Sequence, residues 1–109
     1  MFDVPAIGVA DLPDGAVLLD VREEDEWSAG HAPDARHVPM SQLTGRLDDV
    51  PPADPLYVIC RSGNRSARVV AFLSQQGVSA VNVEGGMQSW AAAGRPMVAE
   101  HAGATPGVL

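Results

Sequence analysis

Cys60, the single cysteine of this 109-residue chain, is the side chain best suited to nucleophilic chemistry. It follows the apolar run 56–59 and precedes a short polar loop that consists of Arg61, Ser62, Gly63, Asn64, Arg65 and Ser66. The thiolate is the reactive form of cysteine, and a helix start with nearby positive charge lowers the thiol pKa from about 8.5 to between roughly 3.5 and 7.5. We therefore expect Cys60 to be a catalytic nucleophile and the loop 61–66 to bind its substrate.

The charge pattern around Cys60 predicts an anion site. The chain has a net charge of -7 and no lysine, yet three of its seven arginines, Arg61, Arg65 and Arg68, fall within residues 60–68. A strand, a short loop and a helix start also direct several backbone N–H groups to one point, beyond the carboxyl end of a parallel sheet. Arg68, which we place inside the helix, is the arginine most readily explained as an ordinary solvated residue.

Two other interpretations compete for Cys60. Free cysteine is among the most buried residue types, so a packing role at a strand end is one alternative, which Gly63, the arginines and the helix start disfavour. The other is a phosphatase with a cysteinyl-phosphate intermediate, whose typical spacing is C-x5-R. Here only four residues separate Cys60 from Arg65, and position 66 is serine. The shorter loop suits one extra sulfur atom on Cys60 better than a tetrahedral phosphate.

The elements that must position this loop alternate along the chain in the manner of βα units around a parallel sheet. Valine-rich apolar runs predict buried strands at 17–21, 56–60 and 80–83. Helical patterns occupy 23–29, 41–48 and 66–76, followed by a short helix that extends through Trp90. We expect left-handed backbone at Gly30, Gly77 and Gly94, which follow helical segments, a helix N-cap at Ser41, and a tight turn at Gly85-Gly86.

Composition narrows the class of protein. The length suits one domain, and 46% apolar with 19% charged residues is typical of a globular chain. The acidic balance disfavours nucleic acid and anionic membranes as partners. No apolar run approaches the roughly 20 residues of a membrane span. Residues 1–5 lack the pattern of a secretory signal, so we expect a cytoplasmic protein. A single cysteine excludes an intrachain disulfide.

Three segments resemble the signature segments of the rhodanese family and occur in the same order. The first comprises 19–23, Glu26, Trp27, 30–33, Val38 and Pro39; the second is 60–66; the third comprises 85–87, Trp90 and 94–96. The resemblance covers roughly residues 6–97. Each segment alone is a weak signal, whereas three in this order are specific.

The resemblance implies an α/β fold, with a mostly parallel five-stranded sheet flanked by helices on both faces. We expect a single rhodanese-like domain at 1–98 and a flexible C-terminal tail at 99–109. The resemblance also implies that Cys60 cycles between thiolate and persulfide. Ala32 stands where a larger aliphatic residue is common and Asp34 where glycine is common, which affects the expected shape of that loop and leaves the chemistry unchanged.

Other residues of the first segment are predicted to be structural. Asp20 and Arg22 should tie a strand end to neighbouring backbone near the site, and His31 should form a hydrogen bond within a turn. Trp27 and Trp90 supply large apolar faces for packing. The three histidines, His31, His37 and His101, lack the spacing of a metal site, so we predict no metal, and no cofactor is expected either.

We expect a sulfurtransferase of the thiosulfate sulfurtransferase type, with a small anionic sulfur donor such as thiosulfate and a thiol or cyanide as acceptor. A mercaptopyruvate-like donor, a cysteine desulfurase or another protein persulfide would use the same loop, so a sulfur-relay protein is a further candidate partner. A different interpretation is a binding, regulatory or redox-sensing module on the same fold. With no second cysteine, oxidation of Cys60 would give a sulfenic acid or a mixed disulfide. A stable persulfide would favour the enzyme, and reversible glutathionylation without sulfur turnover would favour the sensor.

Overall fold

A five-stranded sheet forms the centre of the computed structural model, which describes residues 4–101 and 103–109. Its strands are β1 (Ala6–Gly8), β2 (Leu18–Asp20), β3 (Arg36–His37), β4 (Leu56–Ile59) and β5 (Ala80–Glu84). They lie in the order β1-β5-β4-β2-β3, and every neighbouring pair is parallel. The predicted α/β fold with a five-stranded sheet is confirmed, and the sheet is parallel throughout.

Three α-helices connect or follow the strands: α1 (Glu24–Ala29), α2 (Asn64–Gln75) and α3 (Gly86–Ala92). Short 3-10 helices occupy Val9–Asp11, Met40–Gly45 and Leu47–Asp49. The helical segment predicted at 41–48 is thus present as two short 3-10 helices that are separated at Arg46, and not as one α-helix. The predicted N-cap at Ser41 is wrong, since its hydroxyl donates to Glu23 Oε1 at 2.7 Å.

The glycines behave as expected at most helix ends. Gly77 and Gly94 have left-handed φ values of 84° and 70°, and Gly85-Gly86 turns with φ values of 75° and 52°. Gly30 differs, because its φ of 167° is extended backbone that any residue can adopt. Glycine at this position instead allows the backbone of Gly107 to pack closely, because a Cβ at Gly30 would lie 2.7 Å from the backbone nitrogen of Gly107.

Helices cover both faces of the sheet, as the alternation along β4 shows. Leu56 and Val58 belong to one buried cluster together with Val69, Val70 and Leu73 of α2. Tyr57 and Ile59 face the other cluster, which includes Met87 and Trp90 of α3. The predicted packing role of Trp90 agrees with its exposure of 5%.

The segment after α3 contacts the body of the domain. His31 and Val98 form an antiparallel bridge with two N–O distances of 2.9 Å, and Gly107 donates its N–H to Ala29 O at 2.9 Å. The division into a domain at 1–98 and a flexible tail at 99–109 stays a prediction. Positions 1–3 and 102, which belong to those predicted ranges, lie outside the described residues. Within the described ranges, no helix has the length and apolar character needed to cross a membrane.

Candidate functional site

The loop that carries Cys60 is held between two helix starts. Strand β4 ends at Ile59, and α2 begins at Asn64 after Gly63, whose φ of 104° is a conformation that favours glycine. Helix α3 supports the same loop from the other side, since Met87 N–H donates to Cys60 O at 2.8 Å. Gly86 permits this approach, because a Cβ there would lie 2.7 Å from the carbonyl carbon of Arg61. The backbone of the loop is thus fixed at both ends.

The sulfur of Cys60 lies inside this loop and accepts hydrogen bonds. The side chain is buried, with 1% of its surface exposed, and Sγ accepts from Gly63 N–H at 3.1 Å and from Ser66 Oγ at 3.2 Å. Burial raises the pKa of the Cys60 thiol, but the Ser66 hydroxyl and the backbone N–H groups of Ser66, Gly63 and Ser62 lower it by more. The net effect holds this pKa below the ordinary value for cysteine and favours the thiolate.

Ser66 is supported in turn by Asn82, a residue of β5 that the sequence interpretation missed. Ser66 is fully buried, and its Oγ lies 2.5 Å from Asn82 Oδ1. Asn82 is 7% exposed and donates from Nδ2 to Gly63 O at 3.2 Å. A lone asparagine between Val81 and Val83 of a buried strand is the signal that could have identified it, because buried polar groups need partners.

The three clustered arginines have different surroundings. Arg65 forms a two-point ion pair with Glu26, at 2.7 and 2.8 Å. The hydrogen bond to Arg65 holds the pKa of the Glu26 carboxyl below its usual range, and the same pair raises the pKa of Arg65. Arg61 is exposed and donates from Nε to the backbone oxygen of Leu109 at 2.5 Å. Its Nη atoms lie 3.1 and 3.2 Å from the Gln88 side-chain oxygen when the amide is turned to face them.

Arg68 borders an open cavity of about 480 Å³ beside the loop. The cavity is lined by Ser62, Gly63, Asn64, Ala67, Arg68, Asn82, Glu84 and Gly85. Both charged side chains on its wall, Arg68 and Glu84, are exposed. Asn82 lines the same cavity and also forms hydrogen bonds with Ser66 Oγ and Gly63 O.

Asp20 and Arg22 form a buried ion pair, a contact that the sequence interpretation did not include. Both side chains are fully buried, and Arg22 Nη2 lies 2.7 Å from Asp20 Oδ2. The guanidinium also donates to the backbone oxygens of Glu26 and Gly30, at 3.2 and 2.8 Å. Because Glu26 pairs with Arg65, this network is continuous with the loop.

His31 contacts α1 and the C-terminal segment. Its ring stacks on Trp27 with centroids 3.5 Å apart, and His37 stacks on Trp27 at 4.5 Å. His31 Nδ1 lies 2.8 Å from Ala32 O, and Nε2 lies 2.6 Å from Glu100 Oε2. Among the described residues, no group of three or more His, Cys, Asp or Glu side chains is placed to hold a metal ion.

The chain is similar in sequence to known proteins of one family. The model of the rhodanese-like domain family matches residues 9–93. The chain is 39% identical to a sulfurtransferase of Allochromatium vinosum, over 84% of this chain and 85% of that protein. It is 36% identical to the thiosulfate sulfurtransferase GlpE of Pseudomonas syringae, over 70% and 73% of the two chains.

A solved structure has a similar fold. The crystal structure of a rhodanese-related protein from Thermoplasma volcanium matches with a TM-score of 0.80 and 40% identity, over 86% of this chain and 97% of that one. The family match covers most of the chain and contains the Cys60 loop, the ion pair of Asp20 and Arg22, and all of the strands except β1. The chain therefore belongs to the rhodanese-like sulfurtransferase family.

Proposed function

We propose that the chain transfers a sulfane sulfur from an anionic donor such as thiosulfate to cyanide or a thiol, through a persulfide on Cys60. The Cys60 thiolate attacks the outer sulfur of thiosulfate, the S–S bond of the donor breaks, and sulfite leaves with the bonding electron pair. The outer sulfur then carries the negative charge of the persulfide. In the second step the acceptor attacks this outer sulfur, and the Cys60 thiolate is released.

The observation that carries the proposal is the position of Cys60 Sγ, within hydrogen-bond distance of Gly63 N–H and Ser66 Oγ. These two hydrogen-bond donors favour the thiolate form of Cys60 before thiosulfate arrives, so the first step needs no separate general base. The N–H groups that start α2 offer the same stabilisation to the charge of the persulfide.

Thiosulfate is the donor that we favour for two reasons. Arg61 places an exposed positive charge on the loop of an acidic chain, which favours a small anion. The name of the Pseudomonas syringae relative, thiosulfate sulfurtransferase, supports the same donor. A sulfur-relay protein would either give a sulfur atom to the Cys60 thiolate or take one from the Cys60 persulfide.

The experiment is a steady-state assay with thiosulfate and cyanide, in which both concentrations are varied and thiocyanate is measured. A persulfide intermediate predicts parallel lines in double-reciprocal plots, since sulfite leaves before cyanide reacts. Cys60→Ser should show no activity above background. Intersecting lines, or full activity of Cys60→Ser, would contradict the proposal. Reversible glutathionylation of Cys60 without turnover of any sulfur donor would favour the redox-sensing module.

A further inference from the structure

We propose that Asn82 is a positioning residue that controls, through the single hydroxyl proton of Ser66, how readily Cys60 forms its thiolate. Ser66 Oγ lies between two acceptors, 2.5 Å from Asn82 Oδ1 and 3.2 Å from Cys60 Sγ. A serine hydroxyl has one proton and donates one hydrogen bond at a time. Asn82 and the sulfur therefore compete for the same donor.

The orientation of the Asn82 amide is determined by the loop. Its Nδ2 donates to Gly63 O at 3.2 Å, and a backbone carbonyl oxygen can only accept. Turning the amide over would place Oδ1 against Gly63 O, so that two acceptors face each other and Oδ1 has no donor; Gly63 O would keep only the N–H of Ala67. The amide therefore presents Oδ1 to Ser66. Asn82 is 7% exposed, so most of its side chain is buried, although it also lines the open cavity beside the loop.

The competition has a different outcome in each state of Cys60. While the sulfur is a neutral thiol, Ser66 donates to Asn82, and the Ser66 oxygen can accept from the S–H group. When the sulfur is a thiolate, the Ser66 proton turns toward Sγ, and Asn82 Oδ1 loses its donor in a buried position, which is costly. Asn82 thus favours every state in which Sγ carries no charge.

The inner sulfur of the persulfide is such a state, and here the inference rests on the proposed function. Attack on the donor moves the negative charge from Sγ to the outer sulfur. The Ser66 proton can then return to Asn82 Oδ1. Asn82 therefore opposes thiolate formation but assists departure of the charge from Sγ during sulfur transfer.

The test measures the Cys60 pKa from the ultraviolet absorbance of the thiolate, with Cys60→Ser as the blank. The chain has one cysteine, so the signal has one source. Four proteins form a double-mutant cycle: wild type, Asn82→Leu, Ser66→Ala and the double variant. Asn82→Leu removes the competing acceptor and should raise the thiolate-to-thiol ratio about three- to tenfold at a given pH, which corresponds to the net value of one hydrogen bond.

Ser66→Ala should lower the ratio, and Asn82→Leu should have no effect in the Ser66→Ala background. A ratio that Asn82→Leu leaves unchanged or lowers would overturn the inference. So would an equal increase in both backgrounds, because a structural effect through Gly63 does not require Ser66. If Asn82→Leu fails to fold, Asn82→Ala repeats the cycle with a smaller side chain. The measurement needs no sulfur donor, so failure of this inference is distinguishable from failure of the proposed function.

Discussion

The guanidinium of Arg65 and the carboxylate of Glu26 form a two-point ion pair between α2 and α1, with N–O distances of 2.7 and 2.8 Å. The same carboxylate accepts the backbone N–H of Glu23 in the capping box of α1. Arg65 therefore ties the start of α2 to α1, and its charge is balanced by Glu26. This geometry favours a structural role for Arg65 over direct attraction of the donor.

Glu26→Gln should lower stability in a pH-dependent manner. The pKa of Glu26 is depressed in the folded protein, so its contribution is present above the unfolded value of about 4.3 and is lost as pH falls through the folded pKa. We expect the variant to lose about 1 kcal/mol in free energy of unfolding near neutral pH, and less as pH falls below about 4. Denaturant unfolding across this pH range measures it.

Asp49→Asn is the matched control, because Asp49 pairs with Arg46 on the surface and its side chain is 55% exposed. Its effect should be smaller at every pH. Equal losses for Asp49→Asn and Glu26→Gln, or a loss that does not depend on pH, would contradict the role assigned to the pair of Glu26 and Arg65.

Arg61→Ala should weaken the use of anionic donors. Arg61 is exposed on the loop, where its guanidinium contacts the backbone oxygen of Leu109 and the side-chain oxygen of Gln88, and an incoming anion can compete for these contacts. We expect KM for thiosulfate to rise about three- to tenfold with a smaller change in kcat, as for the loss of one charge-assisted contact. Arg68→Ala removes the same charge from α2 and is the control. An equal rise of KM in both variants would show that Arg61 acts only through the overall charge of the protein and would contradict a direct contact with thiosulfate.

Gly86→Ala should disrupt the active loop through a steric collision. The new Cβ would lie 2.7 Å from the carbonyl carbon of Arg61, and closer still to the carbonyl oxygen of Cys60. Gly94 also has a positive φ, of 70°, but a Cβ there meets nothing within 4 Å. Gly94→Ala should therefore cost about 1–2 kcal/mol from backbone strain alone and keep its activity. Gly86→Ala should lose more stability and most of its sulfur transfer; equal losses would remove the steric explanation.

The extended glycine at the end of α1 allows a test of the C-terminal contact. A Cβ at Gly30 would lie 2.6 Å from Gly107 O, whereas a Cβ at Gly107 would meet nothing within 4 Å. Gly30→Ala should displace residues 103–109 and increase their amide hydrogen exchange, while Gly107→Ala should leave exchange unchanged. Similar exchange of this segment in wild type and Gly30→Ala would show that the contact with Gly30 does not hold it in solution.

The sequence predicted the central strands and the loop because their signals are local. The run at 56–59 is apolar at every position, and Cys60 with its loop follows directly. Strands β1 and β3 were missed, since they have three and two residues and are partly exposed, so neither period nor composition marks them. These two edge strands are defined by their pairing with β5 and β2, and the sequence alone does not indicate that pairing.

The partners of the site were harder to predict because they come from distant positions. Glu26 precedes Arg65 by 39 residues, and Asn82 follows Ser66 by 16. Glu26 belongs to the acidic first turn of α1 and completes its capping box, and nothing along the chain indicates that it also pairs with Arg65. Only the parallel order of β5 beside β4 brings Asn82 next to the Cys60 loop.

The intact mass of the reduced protein, measured before and after incubation with thiosulfate, tests the central claim most directly. Cys60→Ser serves as the control, because Cys60 is the only thiol in the chain. We expect the wild type alone to gain one sulfur atom, which cyanide or a thiol then removes. No gain with thiosulfate or any other sulfane donor, or an equal gain on Cys60→Ser, would contradict a persulfide on Cys60.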